Sequence, residues 1–362
     1  MVFLKSQIAK IDKLLLGLVL FLTLFGILMI YEASSITALR DFKDSFFYVK
    51  QQSLGFLVGL FFLFLTSKFD YRKFRKLAPF LMICSILTLI LVLIPGIGIK
   101  VLGARRWMSL GLFNFQPAEL TKIIFILYLS SIFSEKPRFP SFLLVSAIIS
   151  LLIMLEPDLG TTVILIVSGI FLYFVAGASF LNILILGVSG ILGGIFLIFL
   201  SPYRKERLLT FFDINRDPFG ASYHIKQVLL SFGVGGLFGV GLGASRQKYE
   251  YLPEAMTDSI FAIIGEELGF IGCVVLIFIF LGIIYRGLKI ANSAPDRFGQ
   301  LLAVGISSWL GIQFLVNLAS QVALIPLTGI PLPFISYGSS SLVVALTGVG
   351  ILLNISKQGV KT

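Results

Sequence analysis

Four groups of ionisable residues interrupt an otherwise apolar chain. Arg105, Arg106 and Trp107 lead into Gln116, Pro117, Glu119 and Lys122. Glu156 and Asp158 share one short turn. Arg204, Lys205 and Arg207 follow a long apolar run, and Asp258, Glu266 and Glu267 precede or open another. A carboxylate can take a proton, and guanidinium or ammonium groups can hold phosphate oxygens. The pattern therefore suits proton abstraction beside a phosphorylated substrate. The plainer alternative is a set of ion pairs that staple helices together, and Glu119 with Lys122, one helical turn apart, is such a pair in spacing. That alternative fits single residues better than the set, because it gives no purpose to so many charges gathered in an apolar chain. A phosphate-bearing substrate supplies one for the bases.

A further segment, TGIPLPFISYGSSS (Thr328 to Ser341), sits at the edge of an apolar run and carries two prolines and several small polar residues. Such a segment cannot be a regular helix, and irregular backbone at membrane depth is tolerated only against protein or water. It is either a shaped turn that packs the bundle or a wall of a cavity.

The elements that must position these residues are membrane helices. Of 362 residues, 57% are hydrophobic and 13% charged, with a mean hydropathy of +1.00. A soluble domain carries roughly 25% charged residues, so lipid is the solvent for much of this surface. The abundance of Phe and Gly agrees, since Gly lets membrane helices approach closely. A span needs about 20 mostly apolar residues. Ten runs qualify: 14–31, 47–66, 78–95, 119–134, 141–155, 161–177, 180–200, 259–285, 300–326 and 341–355. The expected fold is an all-α, polytopic ten-helix bundle forming a single integral-membrane domain over 1–362. One long extracytoplasmic loop, 201–258, joins helices seven and eight.

Sidedness follows from Lys and Arg placement. With a cytoplasmic N-terminus, 15 basic residues fall inside and 13 outside, but seven of the 13 lie in the long loop, where the rule weakens; without it the count is 15 against six. Both termini are therefore expected in the cytoplasm and the charged motifs outside. The net charge of +11 is scattered between apolar runs, so anionic lipid or lipid phosphate, and no nucleic acid, is the expected partner.

Several chemistries find no support. There is one histidine, His224, and no CxxC, HExxH or phosphate-loop pattern. Cys84 and Cys273 each lie in an apolar run and read as small buried hydrophobes. The first apolar run is long for a signal peptide and reads as a retained helix. The run GVGGLFGVGLG places Gly235, Gly239 and Gly243 at intervals of four without a βαβ context, which points to close helix packing or a re-entrant segment.

Taken together the motifs resemble the SEDS family (shape, elongation, division and sporulation) of peptidoglycan polymerases. The resemblance rests on GARRWMSLGLFNFQPAELTK (103–122), EPDLGTT (156–162), GLGASRQKYEYLPEAMTDSIFAIIGEELG (241–269) and TGIPLPFISYGSSS (328–341). Within the family it is more similar to the FtsW branch of division than to the RodA branch of elongation, although YHIKQ (223–227) leans the other way. The resemblance implies that lipid II is joined to a nascent glycan outside the cytoplasmic membrane. The acceptor hydroxyl attacks the donor's anomeric carbon with inversion, and undecaprenyl pyrophosphate leaves. It places the essential aspartate on Asp258, whose natural role is general base. Arg105, with Lys122 and Arg204, is the implied pyrophosphate contact. The implied substrate-binding set is completed by Arg106, Trp107, Gln116, Glu119, Glu156, Asp158, Lys248, Glu254, Ser336 and Ser340. No metal-ligand constellation is present, although a divalent cation bridging the pyrophosphate would need few protein ligands. Implied partners are a class B penicillin-binding protein, which is a transpeptidase, and other division proteins. Two positions depart from the family: Met256 stands where a His is usual, and Ser339 replaces a Gly. A lipid II flippase, a RodA-like elongation polymerase and a recruiting scaffold are the competing functions.

Overall fold

Asp12 starts the first helix, its carboxylate accepting the Leu15 N–H at 3.0 Å. The computed structural model describes residues 11–359 except 102, 110, 112–113, 214–215, 217–219 and 249–251. Lys5, Lys10 and Lys361, which enter the charge count above, lie outside the described residues.

Three helices come first: α1 (Lys13–Phe42), α2 (Phe47–Lys68) and α3 (Tyr71–Leu93). A small sheet follows, of β1 (Gly98–Val101), β2 (Ala104–Ser109) and β3 (Asn114–Phe115). Then come α4 (Pro117–Phe133), α5 (Phe139–Leu155), α6 (Leu159–Val175) and α7 (Phe180–Phe199). Residues 201–258 hold α8 (Pro202–Phe212) and α9 (Ala221–Gly235), and the chain closes with α10 (Ile260–Asn292), α11 (Arg297–Gln321) and α12 (Ser339–Gln358).

Every apolar run expected from sequence falls in a helix, with shifted ends that have local causes. Run 78–95 begins early, at Tyr71, because Asp70 caps the polar turn ahead of it by accepting the Arg72 N–H. Run 300–326 stops at Gln321, where Ala323 turns left-handed at φ +56°, and Pro326 beyond it does not let the helix resume. Seven of these helices (α1, α2, α3, α7, α10, α11 and α12) are long and apolar enough to cross a bilayer. The remaining three, α4, α5 and α6, have 17 residues each.

The all-α expectation needs correction. β1, β2 and β3 form an antiparallel sheet in that order, with Ile99 opposite Trp107 and Met108 opposite Phe115. Gly103, at φ +83°, makes the turn between β1 and β2. A search for helix-length apolar runs passes over strands of two to six residues. The loop expectation is corrected as well, because α8 and α9 give 201–258 much of its structure.

α4, α11 and α12 form the interior. α2 packs along α12 so closely that a Cβ on Gly350 would lie 2.1 Å from Thr66 Oγ1 and 2.5 Å from the Leu63 carbonyl oxygen. Small residues at such a seam let two backbones meet where lipid offers no hydrophobic drive. α7, by contrast, turns Phe180, Leu181, Ile191 and Phe196 outward. The glycine run takes the packing role expected of it. Gly235 abuts the Gly265 carbonyl of α10, where a Cβ would come within 2.0 Å. α10 breaks its helical path at Gly269, φ +68°, where the Phe270 and Ile271 N–H groups donate to the carbonyls of Gly236 and Leu237.

Candidate active site

The segment just before α10 is held by its backbone. Its three successive carbonyls are each taken by a different donor: Met256 by the Tyr337 N–H at 2.9 Å, Thr257 by Ser336 Oγ at 2.5 Å, and Asp258 by Asn317 Nδ2 at 3.0 Å and by Gln321 Nε2. Ser336 Oγ in turn accepts the Leu332 N–H at 2.8 Å. The irregular TGIPLPFISYGSSS segment is therefore a shaped support for residues 256–258, and its prolines leave carbonyls for side chains to bind. Asn317 Nδ2 also donates to the Ile330 carbonyl at 2.7 Å, and Gln313 Nε2 to that of Pro331 at 2.9 Å. Gln313, Asn317 and Gln321 stand four residues apart on one face of α11. Buried amides at that spacing in an apolar helix were the signal that sequence reading missed.

With its backbone so fixed, Asp258 is itself buried yet forms no ion pair among the described residues. The Thr257 hydroxyl lies 3.2 Å from Asp258 Oδ1 and 2.8 Å from Glu254 Oε2. Gly329 faces the other carboxylate oxygen, where a Cβ would come within 3.9 Å. Burial, followed by the nearby Glu254 charge, pushes the Asp258 carboxyl up to about 6, while Arg207 opposes the shift. A carboxylate with few donors and a raised proton affinity is suited to general-base work near neutral pH. His224, on α9, bonds Ser259 Oγ at 2.6 Å, and burial pulls it down to about 4, so at neutral pH it is an uncharged neighbour.

The cations divide at a β-bulge: β1 pairs Ile99 with Trp107 and Lys100 with Arg105, which leaves Arg106 as the extra residue of β2, and a bulge re-aims a side chain. On β2, Arg106 points to the turn between α5 and α6, donating to the carbonyls of Glu156 at 2.6 Å and Pro157 at 2.7 Å. Arg105 makes no side-chain hydrogen bond or ion pair among the described residues. Arg106, not Arg105, is thus the arginine that the fold directs to the acidic turn. Arg204, on α8, lies close enough to Arg106 for burial, with the like charge, to lower its proton affinity. It donates to the Leu197 carbonyl at 3.3 Å. Neither guanidinium has a carboxylate partner among the described residues. One turn further along α8, Arg207 donates to the Leu327 carbonyl at 3.0 Å and is the cation felt by Asp258. α8 therefore joins the two halves of the site. The α6 side does the same, because Gly160 abuts Thr328 and Ile330 while Gly329 abuts Asp258.

Glu156 is fully buried, and neither carboxylate oxygen has a hydrogen-bond partner among the described residues. Burial, then the Asp158 charge, raises it to about 9 against the pull of Arg106, so it is neutral at pH 7. Asp158 caps α6 through the Thr161 N–H at 2.9 Å.

The remaining expected site residues are placed apart. Lys122 is buried, 2.8 Å from the Glu119 carboxylate and 2.9 Å from Gln313 Oε1, under the Trp309 ring. Its donors face protein, so a direct pyrophosphate contact is replaced by an interior ion pair linked through Gln313 to Pro331. Gln116 and Ser340 join α4 to α12, the Gln116 N–H donating to Ser340 Oγ at 3.1 Å, and Trp107 lies half-buried in β2. Lys248 is 3.1 Å from Glu32 and 2.5 Å from the Gly243 carbonyl. Glu266 and Glu267 accept the Arg246 and Ser245 N–H groups at 3.0 and 3.3 Å, which fastens the 243–248 segment to α10.

The family described as "Cell cycle protein", FtsW/RodA/SpoVE, matches residues 12–361. The chain belongs to that family. One relative is the "Stage V sporulation protein E" of Bacillus subtilis, 42% identical with 96% of this chain and 97% of the relative covered. Another is the "Probable peptidoglycan glycosyltransferase FtsW" of Trichlorobacter lovleyi, 42% identical over 97% of this chain and 94% of the relative. A chain in a structure described as "Structural coordination of polymerization and crosslinking by a peptidoglycan synthase complex" superposes with a TM-score of 0.78 at 28% identity, covering 96% of this chain and 97% of that one. RodA of Thermus thermophilus superposes with a TM-score of 0.71 at 27% identity, covering 97% of this chain and 98% of that one. Membership of the FtsW/RodA/SpoVE family and the run of long apolar helices make this a multi-pass membrane protein.

Proposed function

We propose that this chain is an inverting peptidoglycan glycosyltransferase that extends a glycan with lipid II, in the FtsW-like role of division. The observation that carries the reading is the unpaired, backbone-locked carboxylate of Asp258, beside an α8 that offers Arg207 to it and Arg204 to Arg106. Asp258 takes the proton from the acceptor hydroxyl as its oxygen attacks the donor's anomeric carbon. The bond to the lipid pyrophosphate breaks, and the leaving oxygens are received by Arg106 and Arg204, two cations that no acid among the described residues neutralises. Holding that developing charge is the electrostatic part of catalysis.

Ten helices, α1 to α7 and α10 to α12, span the membrane on this reading. Both termini lie in the cytoplasm, by the excess of Lys and Arg in the short connections, and Asp258 lies toward the outer side. A divalent cation would travel with the pyrophosphate, since among the described residues no three His, Cys, Asp or Glu side chains converge. A class B penicillin-binding protein is the proposed partner, in keeping with a structural neighbour that belongs to a peptidoglycan synthase complex.

The deciding experiment is lipid II polymerisation by the purified protein, alone and with a partner transpeptidase, for the parent and Asp258→Ala. Loss of polymer with unchanged folding supports the reading. Polymer formed by Asp258→Ala at the parental rate refutes it, and lipid II translocation without polymer would assign a flippase instead.

A further inference from the structure

The end of the bundle opposite Asp258 has a feature that polymerisation does not use. α11 runs from Arg297 to Gln321, roughly 36 Å at 1.5 Å per residue, and its far end meets the connection between α2 and α3. Two adjoining cavities, both shallow and open to the surroundings, lie there, about 460 and 410 Å³, sharing Arg72 and Lys76. Lys73 also lines the first, and Arg75, Arg297 and Asp296 line the second, so five cations face one acid.

That acid is already engaged. Asp296 accepts from the Tyr71 hydroxyl and from Arg72 Nε at 3.1 Å, while Arg75 pairs with Glu135 at 2.9 Å. Lys73 and Lys76 are exposed and have no carboxylate partner among the described residues; Lys73 lies over the Phe69 ring, 5.3 Å from its centroid. Cations left without acids, lining a concave site, call for an anion.

The flank decides which anion. Leu77 lines the first cavity and Phe80 stands one turn further along α3, and they are 41% and 64% exposed. A soluble phosphate gains nothing from that apolar stripe. A phospholipid gains twice, its headgroup in the basic cavities and an acyl chain along α3. We infer that the α2–α3 connection and the start of α11 form a binding site for an anionic phospholipid, with Lys73 and Lys76 as its phosphate contacts. The site stands apart from Asp258 and does not depend on the chemistry assigned there.

The test is native mass spectrometry of the purified full-length chain in detergent, titrated with phosphatidylglycerol or phosphatidylcholine, with inorganic phosphate as competitor. The parent is expected to retain phosphatidylglycerol over phosphatidylcholine, and millimolar phosphate should leave the complex intact. A lysine near an anionic lipid is worth roughly fivefold in affinity, so Lys73→Ala/Lys76→Ala should weaken retention roughly 30-fold. Lys13→Ala/Lys289→Ala, which removes two charges from the same end outside the cavities, should retain it. Should the alanine pair fold poorly, Lys73→Gln/Lys76→Gln keeps much of the side-chain length and removes the same charges. Equal retention by the parent and either double variant at the cavities overturns the site. Equal retention of both lipids does so too, and displacement by inorganic phosphate would make it a soluble-anion site.

Discussion

Asp258→Asn should stabilise the protein while abolishing its polymerase activity, and the gain should depend on pH. Burial raises this carboxyl from 3.8 to about 6, so ionising it inside the fold is harder than in the unfolded chain. A difference of about 2 units corresponds to about 3 kcal/mol. The sign follows from protonation. Below pH 3.8 the group is protonated in both states and costs nothing. Between 3.8 and about 6 the unfolded chain ionises while the fold still holds the proton, so relative stability falls as pH rises. Above about 6 the whole penalty is present. The neutral amide introduced by Asp258→Asn carries no such penalty, although it loses part of the Thr257 hydroxyl contact, worth about 1 kcal/mol. The expected net gain is about 2 kcal/mol at about pH 8 and close to none at about pH 4. Thermal unfolding of the purified parent and Asp258→Asn at both pH values measures it. The parent's polymerisation rate should fall about tenfold per pH unit below about 6, as the base takes up its proton. A midpoint for Asp258→Asn that matches the parent under the alkaline condition, or a gain just as large under the acid one, would show that Asp258 is not held in this desolvated state.

Three further outcomes follow from the same geometry. Asn317→Leu or Gln321→Leu removes a donor from the Asp258 carbonyl; kcat should fall with little change in KM, and the acid limb of the pH–rate profile should move, whereas a purely structural role would lower only the amount of folded protein. Arg106→Ala and Arg204→Ala should each reduce kcat/KM for lipid II by about tenfold or more, and the pair by less than the product if both hold one pyrophosphate, which single and double variants in the polymerisation assay compare. Lys122→Met leaves Glu119 as a buried unpaired charge and should cost about 3–5 kcal/mol, read as a lower unfolding midpoint, while Glu119→Leu/Lys122→Met should recover most of it.

Much of this molecule was legible in its sequence because hydrophobic length alone locates membrane helices. All ten apolar runs became helices. Of the glycines spaced by four, Gly235 and Gly239 do meet α10, but Gly239 and Gly243 take φ +80° and +79° beyond the end of α9, so the close approach was legible while its helical periodicity was not the cause. The sheet was not legible, because strands as short as Asn114–Phe115 leave no periodic trace. Within the site, motif resemblance found Asp258 but could not apportion the cations. Arg106 is the extra residue of a bulge in β2, and a bulge that re-aims one of two adjacent arginines leaves no mark in the sequence. Lys122 looked like a phosphate ligand because its partners Gln313 and Trp309 lie far along the chain, on α11. The amides of α11 show in the sequence only as Gln313, Asn317 and Gln321 at intervals of four; what they hold does not show, because their partners are main-chain carbonyls.

The two halves of the site are anchored differently, and this gives the variants distinct signatures. Asp258 is fixed from the interior, its carbonyl bound by amides of α11 and its neighbours by Ser336 and Tyr337. The arginines reach in from the periphery: Arg204 and Arg207 ride on α8, outside the buried core, and Arg106 on a short sheet. A base must hold its position against an attacking oxygen to within a fraction of an ångström, so its supports should govern kcat and the pH profile. Cations that receive a diphosphate must admit a long lipid and release it, so their loss should weigh on lipid II capture as well as on the chemical step. If α11 amide variants and α8 arginine variants produced the same kinetic pattern, that division of labour between core and loop would be wrong, even with Asp258 still essential.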